Sequence, residues 1–356
     1  MTGTASNGGA RLGKSPLGLS RVGLGAWAIG GGGYRFGWGP QADDDSIRTM
    51  RAAVEAGVNW IDTAPVYGRG HSEEVIGRFL DGVPVADRPM VFTKCGIVWD
   101  RQDPTKSTRT LHPDSIRAEC DDSLRRLRVE CIDLLQFHQP DQVGTRVEDS
   151  WAALLGLVDA GKIRAAGVSN FEGDPLERCW AGGRLTSVQS QMSLIDRDVG
   201  ATVVPWAAAR GVGVLAYSPM ASGLLTDSFD AGRVGTLPED DWRSRDPRFQ
   251  DPQLGRALRL RESLKAVAAR HGTTVAAVAV AWVLAWPGVT AAIVGARRPE
   301  QVAAWAGAAA LELTAEDLGD IETAVVDSGA GSGPVRPAPE SGAGEVGDGH
   351  EGGGRA

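Results

Sequence analysis

Four side chains in the first half of the chain, Asp62, Tyr67, Lys94 and His138, are of the types that reduction of a carbonyl needs. Addition of hydride to C=O leaves an alkoxide that must gain a proton. A phenol can supply it, but with an ordinary pKa of about 10 it is poorly matched to neutral pH. A neighbouring cation favours the phenolate and lowers that pKa. Lys94 is the candidate cation, Asp62 would hold it in a dry site, and His138 could donate a hydrogen bond to the carbonyl oxygen. Each residue also has an ordinary reading: loop cap, surface aromatic, snorkelling strand end, satisfied core histidine. Lys94 is set apart by composition. Of 37 basic residues only Lys14, Lys94, Lys106, Lys162 and Lys265 are lysine, and Lys94 ends the apolar run MVFTK.

The elements that would carry these residues alternate regularly. Apolar runs at 22–27, 58–62, 90–94, 131–138, 163–169, 187–191, 212–218 and 289–295 predict strands. Amphipathic segments predict the helices between them, among them 46–56, 72–80 opening at Ser72, 115–127 and 147–161. A polar loop runs from 218 to about 256. Strict alternation with continuous apolar strands means a parallel sheet covered by helices, and eight units fit a closed (β/α)8 TIM barrel, an α/β fold. Leu12–Val22 predicts a hairpin closing the barrel floor. In such a barrel chemistry sits at the C-terminal strand ends. Asp62, Lys94, His138, Ser169, Asn170, Tyr217 and Ser218 fall at or just beyond strand ends, Gln189 lies within a strand and Tyr67 follows one in its loop. The G-x-G-x-x-A pattern at Gly23–Ala28 is not a Rossmann fingerprint, because Gly30–Gly33 follow at once and break the helix that fingerprint requires.

The segments GVNWIDTAPVYGRGHSEEVIG (57–77), VFTKCG (91–96), DLLQFHQPD (133–141), AAGVSNF (165–171), VLAYSPMASGLLT (214–226) and AIVGARRPEQV (292–302) resemble the aldo-keto reductases. The resemblance spans about residues 20–310. It implies a TIM barrel that binds NADP(H), reduces a small carbonyl substrate and uses Asp62, Tyr67, Lys94 and His138 as a catalytic tetrad, with Tyr67 as general acid. It implies cofactor contacts from Gly25, Ala26, Trp27 and Asp62 near the nicotinamide. Ser169, Asn170 and Gln189 would bond its amide, and Tyr217 would stack on its ring. Ser218, Met220, Gly223 and Leu224 would line the cofactor, with Gly295, Ala296, Arg297 and Gln301 at its adenosine phosphates. Arg297 would flank the 2′-phosphate, helped by Arg298. Trp38 and Trp99 are candidate substrate walls. Met192 stands where many relatives carry an aromatic.

Composition narrows the classes. The formal charge is −8, which argues against a nucleic-acid partner. No apolar run reaches the ~18–20 residues that span a bilayer, and Cys95, Cys120, Cys131 and Cys179 form neither C-x-x-C pairs nor metal-ligand spacing. The expectation is a cytoplasmic, metal-free enzyme, with homo-oligomerisation left open. The alternative that the resemblance allows is an NADP(H)-binding regulatory subunit of a partner protein. The folded body is expected over 11–327. Residues 1–10 and the Gly-, Pro- and acid-rich run 328–356 are expected to be disordered, burying too little to offset ordering entropy.

Overall fold

The computed structural model describes residues 9–100, 102, 103 and 106–337. Its strands are β1 (Gly9–Arg11), β2 (Gly18–Ser20), β3 (Val22–Gly25), β4 (Trp60–Asp62), β5 (Met90–Cys95), β6 (Ile97–Trp99), β7 (Ser107–Arg109), β8 (Ile132–Phe137), β9 (Ile163–Ser169), β10 (Leu185–Gln191), β11 (Gly213–Tyr217) and β12 (Val289–Gly295). The helices are α1 (Asp43–Glu55), α2 (His71–Asp81), α3 (Pro113–Leu127), α4 (Val147–Asp159), α5 (Gly173–Ala181), α6 (Val203–Arg210), α7 (Ala231–Val234), α8 (Gln253–Arg270), α9 (Val275–Leu284), α10 (Pro299–Trp305) and α11 (Ala315–Ser328). Strands β3, β4, β5, β8, β9, β10, β11 and β12 pair in parallel in that order and close on each other, which is the (β/α)8 barrel. Strands β1 and β2 form the expected hairpin beneath it.

The interior is built in layers set by the period of two along a strand. Trp60, Phe92, Leu134, Ala165, Leu215 and Ala291 fill the lower part, plugged from below by Leu12, Leu17 and Leu19 of the hairpin segment. Fully burying each large apolar side chain contributes about 1.5–3 kcal/mol. Trp60 requires a bare partner opposite it, since a Cβ on Gly23 would lie 2.2 Å from the indole. Two residues further along the strands stand Asp62, Lys94, Gln136 and Tyr217. The register that packs an apolar floor therefore raises a polar layer above it.

Several sequence expectations change. Ser72 does not cap α2; its hydroxyl donates to Ala26 O (2.9 Å) and meets Thr63 Oγ1 (2.9 Å), tying the helix to the strand ends. Residues 9 and 10 are not disordered but pair in β1. The folded body also extends past 327. Helix α11 runs to Ser328, and residues 329–336 lie along the 193–198 loop that follows β10. Arg197 is 4% exposed, and its guanidinium donates to Ala330 O (3.1 Å) and Gly333 O (3.2 Å). Ser332 N donates to Ile195 O, Arg197 N donates to Ser332 O, and Ser332 Oγ bonds Asp198 Oδ2 at 2.8 Å. Composition missed this strap because backbone carbonyls, which every residue carries, do the docking. The remainder of the expected tail, from 338, lies outside the described residues.

Among the described residues no single helix is long and apolar enough to cross a membrane. Helix α9 is apolar because it is wholly inside the protein.

A chain ending at residue 328 is expected to melt several degrees below one ending at 337. It would lose the Arg197 hydrogen bonds to Ala330 O and Gly333 O and the burial of Ala330, at a cost of about 1–3 kcal/mol. Scanning calorimetry of the two chains checks this; equal midpoints would mean the strap contributes nothing.

Candidate active site

The site begins with an ion pair. Asp62 at the end of β4 and Lys94 near the end of β5 face each other across adjacent strands, with Lys94 Nζ 2.6 Å from Asp62 Oδ1 and both side chains almost inaccessible. Lys94 Nζ also donates to Thr63 O at 2.9 Å, which leaves one of its three N–H bonds uncommitted. The second carboxylate oxygen, Asp62 Oδ2, accepts from Gln189 Nε2 at 2.8 Å. Tyr67 arrives on a tight turn between β4 and α2, where Gly68 and Arg69 adopt left-handed backbone. Its ring lies 5.4 Å from Lys94 Nζ and edge-on to His138, centroids 5.9 Å apart. His138 follows β8, held by its N–H to Cys95 O. The structure thus gathers all four residues expected to act together.

The electrostatics differ from the expectation in one respect. Burial, and then the negative charge of Asp62, pushes the Tyr67 phenol well above its ordinary value. The net direction is upward even with Lys94 close by, because exclusion of water and the Asp62 charge outweigh the lysine. Burial likewise lowers Lys94, against the opposing pull of Asp62. His138 is held well below its usual value by burial, then by the charges of Lys94 and Arg109. At neutral pH the site therefore presents a protonated phenol and a neutral imidazole. Tyr67 and His138 both keep an accessible edge.

Beside this group lies a cleft of about 410 Å³ between the 218–229 segment and the 293–305 segment. Gly25, Trp27, Trp38, Ser218, Met220, Gly223, Gly295, Ala296, Arg297 and Gln301 line it. It joins the tetrad through Trp27, stacked on Tyr67 at 6.1 Å, and through Ala26, whose N–H donates to Asp62 O. Ala26 and Leu224 are buried behind the cleft wall. Other expected residues bond to one another. Asn170 Nδ2 donates to His138 O (3.0 Å) and to Ser169 Oγ (3.1 Å), while Asn170 Oδ1 accepts from the Tyr217 hydroxyl (2.8 Å). Trp99 is apart from the cleft, on the β6–β7 hairpin.

Arg297 has work that the sequence did not show. Its Nε donates to Gln41 Oε1 (2.8 Å), its Nη1 to Trp38 O (2.9 Å) and its Nη2 to Pro40 O, so it clasps the 38–41 loop. Gln301 Oε1 accepts from the backbone N–H groups of Arg297 and Arg298, closing the turn into α10. Arg298 is exposed and makes no ion pair among the described residues.

Three further features escaped the sequence reading. Gln136 is fully buried in the polar layer, and its Nε2 has no partner among the described residues. The 218–256 loop is not merely polar. It inserts Trp242 against Trp27 at 5.4 Å and 12°, and pairs buried Asp241 with Arg243 at 2.7 Å. Arg243 in turn lies 4.4 Å over Trp38. Isolated aromatics in a loop carry no periodic signal, so only the fold assembles them. Among the described residues no three His, Cys, Asp or Glu side chains converge as a metal site.

Residues 21–326 match the aldo/keto reductase family model, and the chain belongs to that family. It is 34% identical over 303 residues to the NADH-specific methylglyoxal reductase of Escherichia coli (strain K12), covering 82% of this chain and 90% of that protein. Among solved structures, the glycerol dehydrogenase AKR11B4 of Gluconobacter oxydans superposes with a TM-score of 0.82 at 38% identity, covering 94% and 99% of the two chains. An aldo-keto reductase of Klebsiella pneumoniae in complex with NADPH gives 0.68 at 26%, covering 90% and 95%.

Lys94→Met is expected to destabilise the protein by about 3–5 kcal/mol, since Asp62 is left as a buried unpaired charge. The double change Asp62→Asn with Lys94→Met should cost less than the single one. Denaturant titration decides it; additive costs would mean the pair is uncoupled.

Proposed function

We propose that this protein is an NADP(H)-dependent oxidoreductase that reduces small aldehydes or ketones, with Tyr67 as the proton donor. The observation that carries the reading is Tyr67 placed beside a buried Lys94–Asp62 pair, edge-on to His138 and stacked on Trp27, which lines the cleft. The cleft suits an extended dinucleotide. Trp27 lines it beside the tetrad, and Arg233, which makes no ion pair among the described residues, also lines it as a cation suited to phosphate. When bound, the nicotinamide cofactor supplies the hydride.

The chain's own residues then have separable tasks. His138, neutral and with its edge open, orients the carbonyl oxygen. Tyr67 holds a proton at its hydroxyl at every physiological pH, so the donor is always loaded. Lys94, with one N–H uncommitted, favours the phenolate that proton loss creates, and Asp62 and Gln189 keep Lys94 in place. Two relatives are named for three-carbon compounds, methylglyoxal and glycerol, and a similarly small carbonyl fits a site walled by Trp27 and Trp38. The preference for NADPH rests on Arg298 rather than Arg297, because the Arg297 guanidinium is committed to the 38–41 wall.

Tyr67→Phe is expected to lower turnover about 10²–10⁴-fold, the usual worth of a general acid, with cofactor affinity nearly unchanged. Because the phenol is raised, it stays protonated up to and beyond pH 10, and its ionisation should impose no loss of reductase activity between pH 7 and about 9. NADPH oxidation followed by absorbance against a panel of aldehydes, ketones and dicarbonyls reads both. Near-wild-type turnover in Tyr67→Phe would remove Tyr67 from the chemistry.

Fluorescence titration separates the two arginines. Losing one charge-assisted contact costs about 1.5–3 kcal/mol, so Arg298→Ala should weaken NADPH roughly 10- to 150-fold and spare NADH. Arg297→Ala should weaken both cofactors together by loosening the wall. Loss selective for NADPH in Arg297→Ala alone would return the 2′-phosphate to Arg297.

A further inference from the structure

A second cleft, of about 460 Å³, opens at the opposite end of the barrel, where strands begin and helices end. Its base is apolar, formed by Val158, Ala165, Leu185 and Val212, and its rim carries Lys14, Arg164, Arg184 and Arg210. Among the described residues no Asp or Glu lines it. For a chain of net charge −8 this is an unusual concentration of one sign.

Part of the cluster has a structural explanation. Helices α4, α5 and α6 end here, and cations at helix C-termini are favourable. Arg184 bonds Asp159 at 2.7 Å and Arg210 bonds Glu177 at 2.8 Å, both carboxylates outside the lining. Arg210 also lies between Trp180 and Trp206, 5.0 and 4.7 Å from their rings. Helix ends do not explain Lys14, on the turn between β1 and β2, or Arg164, on β9. Lys94, Lys106, Lys162 and Lys265 each pair with a carboxylate, whereas Lys14 has none within 4.0 Å among the described residues. Its stem lies along the α6–β11 turn, where a Cβ on Gly211 would come within 2.8 Å of Lys14 Cε. Arg164 has one ion pair, to Asp133 on the neighbouring strand at 3.4 Å, and its side chain is nevertheless 62% exposed.

We propose that this floor cleft binds a small phosphate-bearing anion, held chiefly by Lys14 and Arg164, with Arg184 and Arg210 strengthening the local positive field. The cavity is of small-molecule size, and the acidic remainder of the surface would repel a long polyanion. Since Lys14 belongs to the same hairpin segment as the Leu12 and Leu17 plug, an occupant would brace the barrel floor, remote from the tetrad.

The test uses inorganic pyrophosphate as probe in calorimetric titration of the full chain, with and without saturating NADPH so that the cofactor cleft is blocked in one arm. A single saturable site that persists with NADPH present is expected. Lys14→Gln with Arg164→Gln should weaken it at least about tenfold, while Lys14→Arg with Arg164→Lys, which keeps both charges, should retain it. Arg48→Gln, an exposed charge change elsewhere, should leave it unaltered. Pyrophosphate should also raise the melting midpoint of the wild type and not of the charge-removed variant. Absence of saturable binding, its loss when NADPH is present, undiminished affinity in the charge-removed variant, or an equal loss in Arg48→Gln would each overturn the proposal.

Discussion

Lys94 and Asp62 sit 2.6 Å apart with almost no access to water, and a charge in that position is tolerable only if it is met. The surroundings supply the rest of what the pair needs. Thr63 O takes a second Lys94 proton and Gln189 satisfies the other Asp62 oxygen. The desolvation that makes the pair costly also raises Tyr67 and lowers His138, so one feature, a dry polar layer, sets the protonation of both groups facing the substrate side.

That dry layer exists because of the floor beneath it. Trp60, Phe92 and Leu134 fill the barrel two residues before Asp62, Lys94 and Gln136, and the hairpin segment closes the bottom with Leu12, Leu17 and Leu19. A one-residue slip of β4 or β5 would turn the acid or the lysine outward and bring an apolar neighbour inward. Packing and chemistry are thus fixed by the same register, and neither can be changed alone.

The walls are less regular and are held by arginines spending their donors on backbone carbonyls. Arg297 clasps residues 38–41 on one side of the cofactor cleft. Arg197 clasps the 329–336 strap on the loop after β10, the strand that carries Gln189. Arg243, paired with Asp241 and lying over Trp38, joins the long loop to the first. In a chain with 32 arginines and five lysines, the planar five-donor guanidinium suits this work better than an ammonium would.

The sequence by itself determined the barrel and singled out Asp62, Tyr67, Lys94 and His138 as residues to be brought together, because these depend on local periodicity and on strand ends that recur at regular intervals. Period-two burial makes Asp62 and Lys94 legible as inward-facing, and the alternation of strand and helix makes the closed sheet nearly obligatory. Tertiary structure alone decided what depends on partners distant in the chain. It showed that Arg297 is engaged by residues some 256 positions away, that Trp242 closes over Trp27, and that residues 329–336 are ordered despite a composition that buries little. It also decided that the Tyr67 pKa lies above its ordinary value although Lys94 is beside it. That outcome depends on how much water is excluded and how near Asp62 stands, which no residue pattern encodes.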